Sequence, residues 1–246
     1  MSSTIDIINA HRSIRKYTSQ PIDAVLLEQI LHAGCSASTS SFIQAVSVIR
    51  VIENKKRLKI VELAGDQKYI ASASEFLVFC ADLNRNKNRV IKENVDGDFA
   101  WAEQFIAATV DVALFSQNVV IAAESEGLGC CYIGGIRNNP MQICRLLELP
   151  SLVYPVFGLC LGYPDQQPEI KPRLPLSVTV HENSYTWNEN IEFEIDRYDK
   201  QVQEYYIKRT NGKLNSSWSS QLAKQAIFQS RPFMRKFLND KGFLQK

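Results

Sequence analysis

The stretch from about Ala100 to Ser125, closed by Gly127 and Gly129, constrains the fold of this chain more than any other. Apolar side chains recur along it at helical spacing and paired glycines end it, so the sequence predicts one long helix. Its most apolar part, Val110 to Ala123, is interrupted by Asp111, Ser116, Gln117 and Asn118. Those interruptions argue against a bilayer span and for a helix buried in a protein core. Such a helix needs apolar partners, and the 246 residues, 45% apolar and 10% aromatic, supply them. That composition also argues against disorder.

Strands and shorter helices alternate around it. Thr4 caps a short helix carrying Ile5, Ile7 and Ile8, and Pro21 and Asp23 open a second with Leu26, Leu27, Ile30 and Leu31 on one face and Gly34 near its end. Residues 45–52, 75–81, 132–135 and 153–162 read as strands. A helix is expected around 56–63, and another where Asn139 precedes Pro140. The polar run 83–97 reads as a surface loop. From about Ser184 the chain turns polar and rich in Tyr and Trp, with helical patterns near 198–208 and 218–230. The class is therefore α+β, with helices around a mixed, mainly antiparallel sheet. One domain, 1–246, is expected, with 184–246 as a C-terminal extension.

Charge and cysteine usage narrow the function. A formal charge of +2 gives no global pull toward nucleic acid or a membrane surface. The opening MSSTIDIINA lacks a basic segment followed by a long apolar one, so no signal peptide is expected. Cys35, Cys80, Cys130, Cys131, Cys144 and Cys160 form no C-x-x-C pair and have no His at zinc-ligand spacing, so no metal is expected. Reduced thiols packed as small hydrophobes fit a cytoplasmic protein.

Four constellations could carry chemistry. His11-Arg12-Ser13-Ile14-Arg15 places two guanidiniums and a hydroxyl within a few residues, matched to phosphate oxygens; a solvated basic turn reads the same way. In Lys171-Pro172-Arg173-Leu174-Pro175 the prolines hold the chain extended, so Lys171 and Arg173 point the same way and suit an anion; an ordinary surface loop is the other reading. Gly127-Leu128-Gly129 and Tyr132-Ile133-Gly134-Gly135 permit close backbone approach to a flat ligand, or simply a tight turn. Ser36, Ser38, Thr39, Ser40 and Ser41, with Gln67, offer neutral donors and acceptors for a heterocycle edge, or only helix caps. The dinucleotide fingerprint, the P-loop and the G-x-S-x-G elbow are all absent. With three histidines and no carboxylate dyad, the chain suits chemistry that a cofactor performs.

Taken in order, these segments resemble one family. They are His11 to Arg15; Ala123-Glu124-Ser125 leading into Gly127-Leu128-Gly129; Tyr132 to Gly135 with Arg137-Asn138; Phe157-Gly158 to Leu161-Gly162; Lys171 to Pro175; His181-Glu182-Asn183; and Ser230-Arg231-Pro232. The chain is similar over nearly its whole length to the oxygen-insensitive NADPH nitroreductases and the related NADPH–FMN oxidoreductases of the flavin reductase P type. The resemblance implies a nitroreductase-like α+β fold, an interlocked homodimer and FMN at its interface.

By position, the resemblance matches His11, Arg12, Ser13 and Arg15 to FMN-binding residues, with the arginines near the phosphate. Lys171 and Arg173 match a second cationic contribution, and Thr39 and Gln67 match polar contacts. Tyr132, Ile133, Gly134 and Gly135 match the stretch against the isoalloxazine. Ser41, Phe42, Tyr205 and Arg231 match substrate-side positions. Arg209 matches a residue binding the NADPH 2′-phosphate; Lys208 and Lys213 lie beside it, and Leu214 stands where a second basic residue is usual. Cys130 and Cys131 stand where Gly and Val are usual. The implied reaction is a ping-pong transfer of two electrons from NADPH to nitroaromatics, quinones or flavins. A flavin reductase serving a partner enzyme is an alternative within the same site, and a basic nucleic-acid-binding module is an alternative outside it.

Overall fold

The structure is a computed structural model and describes residues 3–228 and 231–246. The elements in chain order are α1 (Thr4–Asn9), α2 (Ala24–Cys35), β1 (Val46–Arg50), α3 (Asn54–Leu63), α4 (Tyr69–Ser72), β2 (Glu75–Asp82), α5 (Asn84–Lys92), α6 (Ala102–Ser125), β3 (Gly129–Ile133), α7 (Pro140–Leu146), β4 (Val153–Gly162), α8 (Leu176–Thr179), α9 (Glu189–Arg209), α10 (Trp218–Ile227) and α11 (Met234–Asp240). The chain forms two compact units: residues up to 167 with 233–246, and residues 168–232.

In the first unit the four strands run in the order β1-β2-β4-β3, each pair antiparallel. A parallel element comes from the bridge between Ser13 and Cys130 at the free edge of β3. Every residue of β2 is buried, and successive side chains go to opposite faces. Leu77, Phe79 and Ala81 join a core with α2 and α6; Phe76, Val78 and Cys80 join a second core with Ile60 and Ile70 of α3 and α4 and Ile143 of α7. β3 splits its two cysteines the same way, Cys130 into the first core and Cys131 into the second.

The long helix is the spine of this unit, as its pattern requires. Gly34 of α2 lies against it so closely that a Cβ there would stand 2.4 Å from the Phe115 ring. By length and mean hydropathy (1.7) α6 is long and apolar enough to cross a membrane, which its polar interruptions had argued against. Here Ala108, Asp111, Val112, Ser116, Val119, Val120 and Ala123 are buried on one side of it, as in a core helix. Asp111 is not a flaw in that face. Its carboxylate accepts the backbone N–H groups of Ser40 and Ala45 at 3.0 and 3.1 Å.

One expectation fails. The run 83–97, read as a loop, contains the helix α5. No buried apolar face holds it, which is why hydrophobic periodicity missed it; polar side chains do the work instead. Arg85 donates to the carbonyls of Gln44 and Val46 at 2.6 and 3.0 Å, Asn86 to that of Ile43 at 2.7 Å, and Asp82 accepts the Arg85 N–H. The strand expected at 132–135 begins earlier, at Gly129, and passes into a 3₁₀ turn over Gly134–Asn138. Pro140 opens α7 as expected, but the Asn139 side chain donates to the Leu63 carbonyl rather than capping the helix.

In the second unit α9 is the organising element. Ile191, Tyr198, Val202 and Tyr205 are its buried residues, and Trp218 of α10 packs edge-on against Tyr198. The helical pattern read to 230 ends at Ile227, and Ser230 lies outside the described residues.

Candidate functional site

The segment 11–15 leaves α1 and runs along the edge of β3, where the Ile14 N–H donates to the Cys130 carbonyl at 2.8 Å. Ile14 is buried against Gly129, whose missing side chain makes the approach possible: a Cβ there would stand 2.6 Å from Ile14. Pinned this way, the segment holds its polar neighbours in fixed places. Nδ1 of His11 lies 2.7 Å from Oε1 of Glu124. Arg12 and Glu124 line a cleft of about 670 Å³ with Gly127, Leu128 and Gly129. The guanidinium of Arg15 stands within electrostatic reach of Tyr69 and of the Cys131 thiol.

From Arg15 a polar chain continues. The Tyr69 hydroxyl donates to Gln67 Oε1 at 2.5 Å, and Gln67 Nε2 donates to the Ala64 carbonyl at 2.8 Å. Burial raises the Tyr69 phenol above its ordinary range while Arg15 draws it back, so the hydroxyl stays a proton donor. Gly135 completes the group. A Cβ at that position would stand 2.3 Å from both Ala64 O and Gln67 Nε2, so only glycine fits. Gly134 is under no such pressure, its nearest neighbour being Arg137 at 3.5 Å. Ile133 is fully buried. The Tyr132 ring turns inward, its hydroxyl donating to Ser116 at 3.1 Å and its edge against Phe157; burial pushes that phenol up to about 12.

Thr39, Ser41 and Phe42 belong to a tight loop between α2 and β1. Thr39 Oγ1 accepts the Gln44 N–H, and Ser41, Phe42 and Gln44 all take left-handed backbone angles, φ 46°, 59° and 49°. Phe42 is 80% exposed.

The remaining expected residues lie in the second unit. Lys171 donates to the Tyr206 hydroxyl at 2.8 Å and sits 5.0 Å from that ring centre. Arg173, exposed, donates to the Lys171 carbonyl. Arg209 donates to the Tyr205 hydroxyl at 2.9 Å and lies over its ring, while Lys208 pairs with Glu169 at 2.5 Å. Lys213 is exposed after α9, and Arg231 takes a left-handed φ of 56°.

Three residues that position this site escaped sequence reasoning: Tyr69, Glu124 and Asp111. Tyr69 stands two residues after Gln67 and could have been found by that proximity. The other two reach their partners only through tertiary packing.

The residues from 8 to 163 match the family model "Nitroreductase family", and 171–246 match its C-terminal domain. The chain belongs to the nitroreductase family. Among its relatives, the NADPH-flavin oxidoreductase of Vibrio harveyi is 44% identical over 246 residues, with 100% of both chains covered. The oxygen-insensitive NADPH nitroreductase of Salmonella typhimurium is 43% identical over 244 residues, with 99% of each covered. Among solved structures, nitroreductase A from Vibrio parahaemolyticus superposes with a TM-score of 0.91 at 46% identity over 100% of both chains. The resemblance read from the ordered motifs is borne out, and with it the nitroreductase fold.

Proposed function

We propose that this nitroreductase-family chain is an FMN-dependent NADPH oxidoreductase that reduces nitroaromatics, quinones or free flavin by two electrons. The observation that carries the reading is the polar chain Arg15, Tyr69, Gln67 beside the glycine-only position Gly135. Its donor set fits a phosphorylated heterocycle. Arg12 and Arg15 supply cations of the right geometry for a phosphate. Tyr69 fixes the amide of Gln67, whose second hydrogen remains to donate to a ring edge. His11, Ser13, Thr39 and the backbone of Tyr132, Ile133 and Gly134 are the further contacts of this reading, with Lys171 and Arg173 assigned from the resemblance.

FMN, when bound, supplies the two-electron hydride chemistry that a ping-pong exchange between NADPH and an acceptor requires. The chain's own part is to bind, orient and set the field, since cations beside the cofactor favour added negative charge. Arg209, held by Tyr205, is the residue assigned to the coenzyme 2′-phosphate, with Lys213 beside it; Lys208 already faces Glu169. Ser41, Phe42, Tyr205 and Arg231 are the assigned acceptor side.

The functional dimer of this reading rests on exposed apolar surface. Ile106, Val110 and Leu114 form an exposed stripe on α6 at helical spacing, and Tyr185, Trp187 and Phe193 are exposed in the second unit. Surface of this kind marks an interaction face, and a second copy is the partner proposed. All six thiols are free, as a reducing compartment such as the cytoplasm keeps them.

The names of the relatives divide the acceptor between a flavin and a nitro compound at nearly equal identity. NADPH oxidation measured side by side with a nitrofuran and with free FMN decides it. Turnover with either acceptor supports the oxidoreductase reading, the faster one names the acceptor class, and turnover with neither refutes the reading.

A further inference from the structure

Three ligating atoms meet where the segment after α1, the end of α6 and the start of β3 come together. Besides the His11–Glu124 contact at 2.7 Å, the Cys130 thiol donates to the same Glu124 oxygen at 3.6 Å. All three ligating atoms lie within 4.8 Å of one another. Their backbones are fixed separately. The Ile14 N–H to Cys130 carbonyl bond ties segment 11–15 to β3, and the Leu128 N–H to Ala123 carbonyl bond at 3.0 Å folds the end of α6 onto β3. Cys130 is fully buried, whereas the side chains of His11 and Glu124 are 29% and 13% exposed, and Glu124 lines the open cleft.

We propose that His11, Glu124 and Cys130 form a binding site for a thiophilic divalent cation of the zinc class. An imidazole nitrogen, a carboxylate oxygen and a thiolate sulfur are the donors zinc selects, and three protein ligands leave a fourth position for water from the cleft. Zinc bonds of about 2.0 Å to nitrogen and oxygen and about 2.3 Å to sulfur place tetrahedral donors roughly 3.3–3.6 Å apart. The sulfur–oxygen separation already meets this. The nitrogen–oxygen contact, at 2.7 Å, opens by about half an ångström on binding, and the His11 nitrogen and Cys130 sulfur, within 4.8 Å of each other, close toward about 3.5 Å.

The protons balance. Zinc takes Cys130 as the thiolate, so the thiol proton goes to solvent as the ion binds, and the ion takes His11 through Nδ1 with the ring hydrogen on Nε2. The thiolate and the carboxylate then neutralise the dication.

The test uses the full-length protein as purified, dialysed against zinc chloride, freed of loose metal and assayed for bound zinc, with affinity measured against a chromophoric chelator. Wild type should hold stoichiometric zinc, and Cys130→Ala should bind it about tenfold more weakly or worse. Cys131→Ala, on the other face of β3, and Cys35→Ala, at the surface, should bind as wild type does. His11→Gln, at a half-exposed position, repeats the test should Cys130→Ala fail to fold. Wild type that retains no zinc, or variants at 130 and 11 that retain as much as wild type, would overturn the proposal. Flavin content is measured on samples never exposed to zinc, because His11 is also an assigned FMN contact, so a protein without FMN counts against the functional reading while the zinc result stands by itself.

Discussion

The carboxylate of Asp111 accepts the backbone N–H of Ala45 from the buried middle of α6, and with its other oxygen that of Ser40. Between these two anchors lie Ser41, Phe42 and Gln44, three non-glycine residues with left-handed backbones. Each such residue carries strain that its surroundings must hold. Asp111→Ala would strand the buried Ala45 N–H and the part-buried Ser40 N–H and should cost on the order of 2–4 kcal/mol. Asp111→Asn, which keeps one acceptor oxygen, should lose less. Urea denaturation of both variants measures this; an Asp111→Ala midpoint equal to wild type contradicts the anchoring role.

Gly134 and Gly135 are adjacent but not equivalent. A methyl group at Gly135 collides with Ala64 O and Gln67 Nε2, so the backbone or the Gln67 amide must move. Gly135→Ala should therefore weaken FMN binding, on the proposed assignment, far more than Gly134→Ala, whose new Cβ makes only ordinary contact. Flavin dissociation constants of the two variants decide it. Equal losses would show that Gly135 packing does not set the site.

Coenzyme selectivity should rest on Arg209. A guanidinium–phosphate contact near the surface contributes about 1.5–3 kcal/mol, or roughly ten- to a hundredfold in KM. Arg209→Ala should raise KM for NADPH by that order and leave NADH kinetics and the acceptor half-reaction nearly unchanged. Because Arg209 bonds to Tyr205, Tyr205→Phe should give a smaller shift in the same direction. An equal slowing with both coenzymes would move selectivity elsewhere, with Lys213 the next residue to test.

The sequence made the spine of the fold legible because β2 and β4 are buried along their lengths and α6 along one face, and burial leaves an apolar signature. It made the glycine and arginine motifs legible because they lie close together in the chain and in a fixed order. It hid α5, which Arg85 and Asn86 hold through carbonyls about forty residues away. It also hid the pairing of Glu124 with His11, 113 positions distant, and gave Asp111 the look of an interruption when it is an anchor. What was missed in each case is a long-range polar contact, which leaves no periodicity to read.

The α6 stripe should close a dimer. Sedimentation at micromolar concentration should show a single species of twice the 27.9 kDa chain mass. Val110→Asp, which puts a charge at the centre of the stripe, should shift the equilibrium toward monomer. A wild-type protein that sediments as a monomer would refute the assignment of this face to a second copy.

The most direct test is the absorbance spectrum of the purified protein, read together with its NADPH-dependent bleaching. The account predicts a yellow protein that releases stoichiometric FMN on denaturation and loses its flavin bands when NADPH is added without acceptor. A protein that stays colourless after incubation with FMN, or a bound flavin that NADPH leaves oxidised, would contradict it.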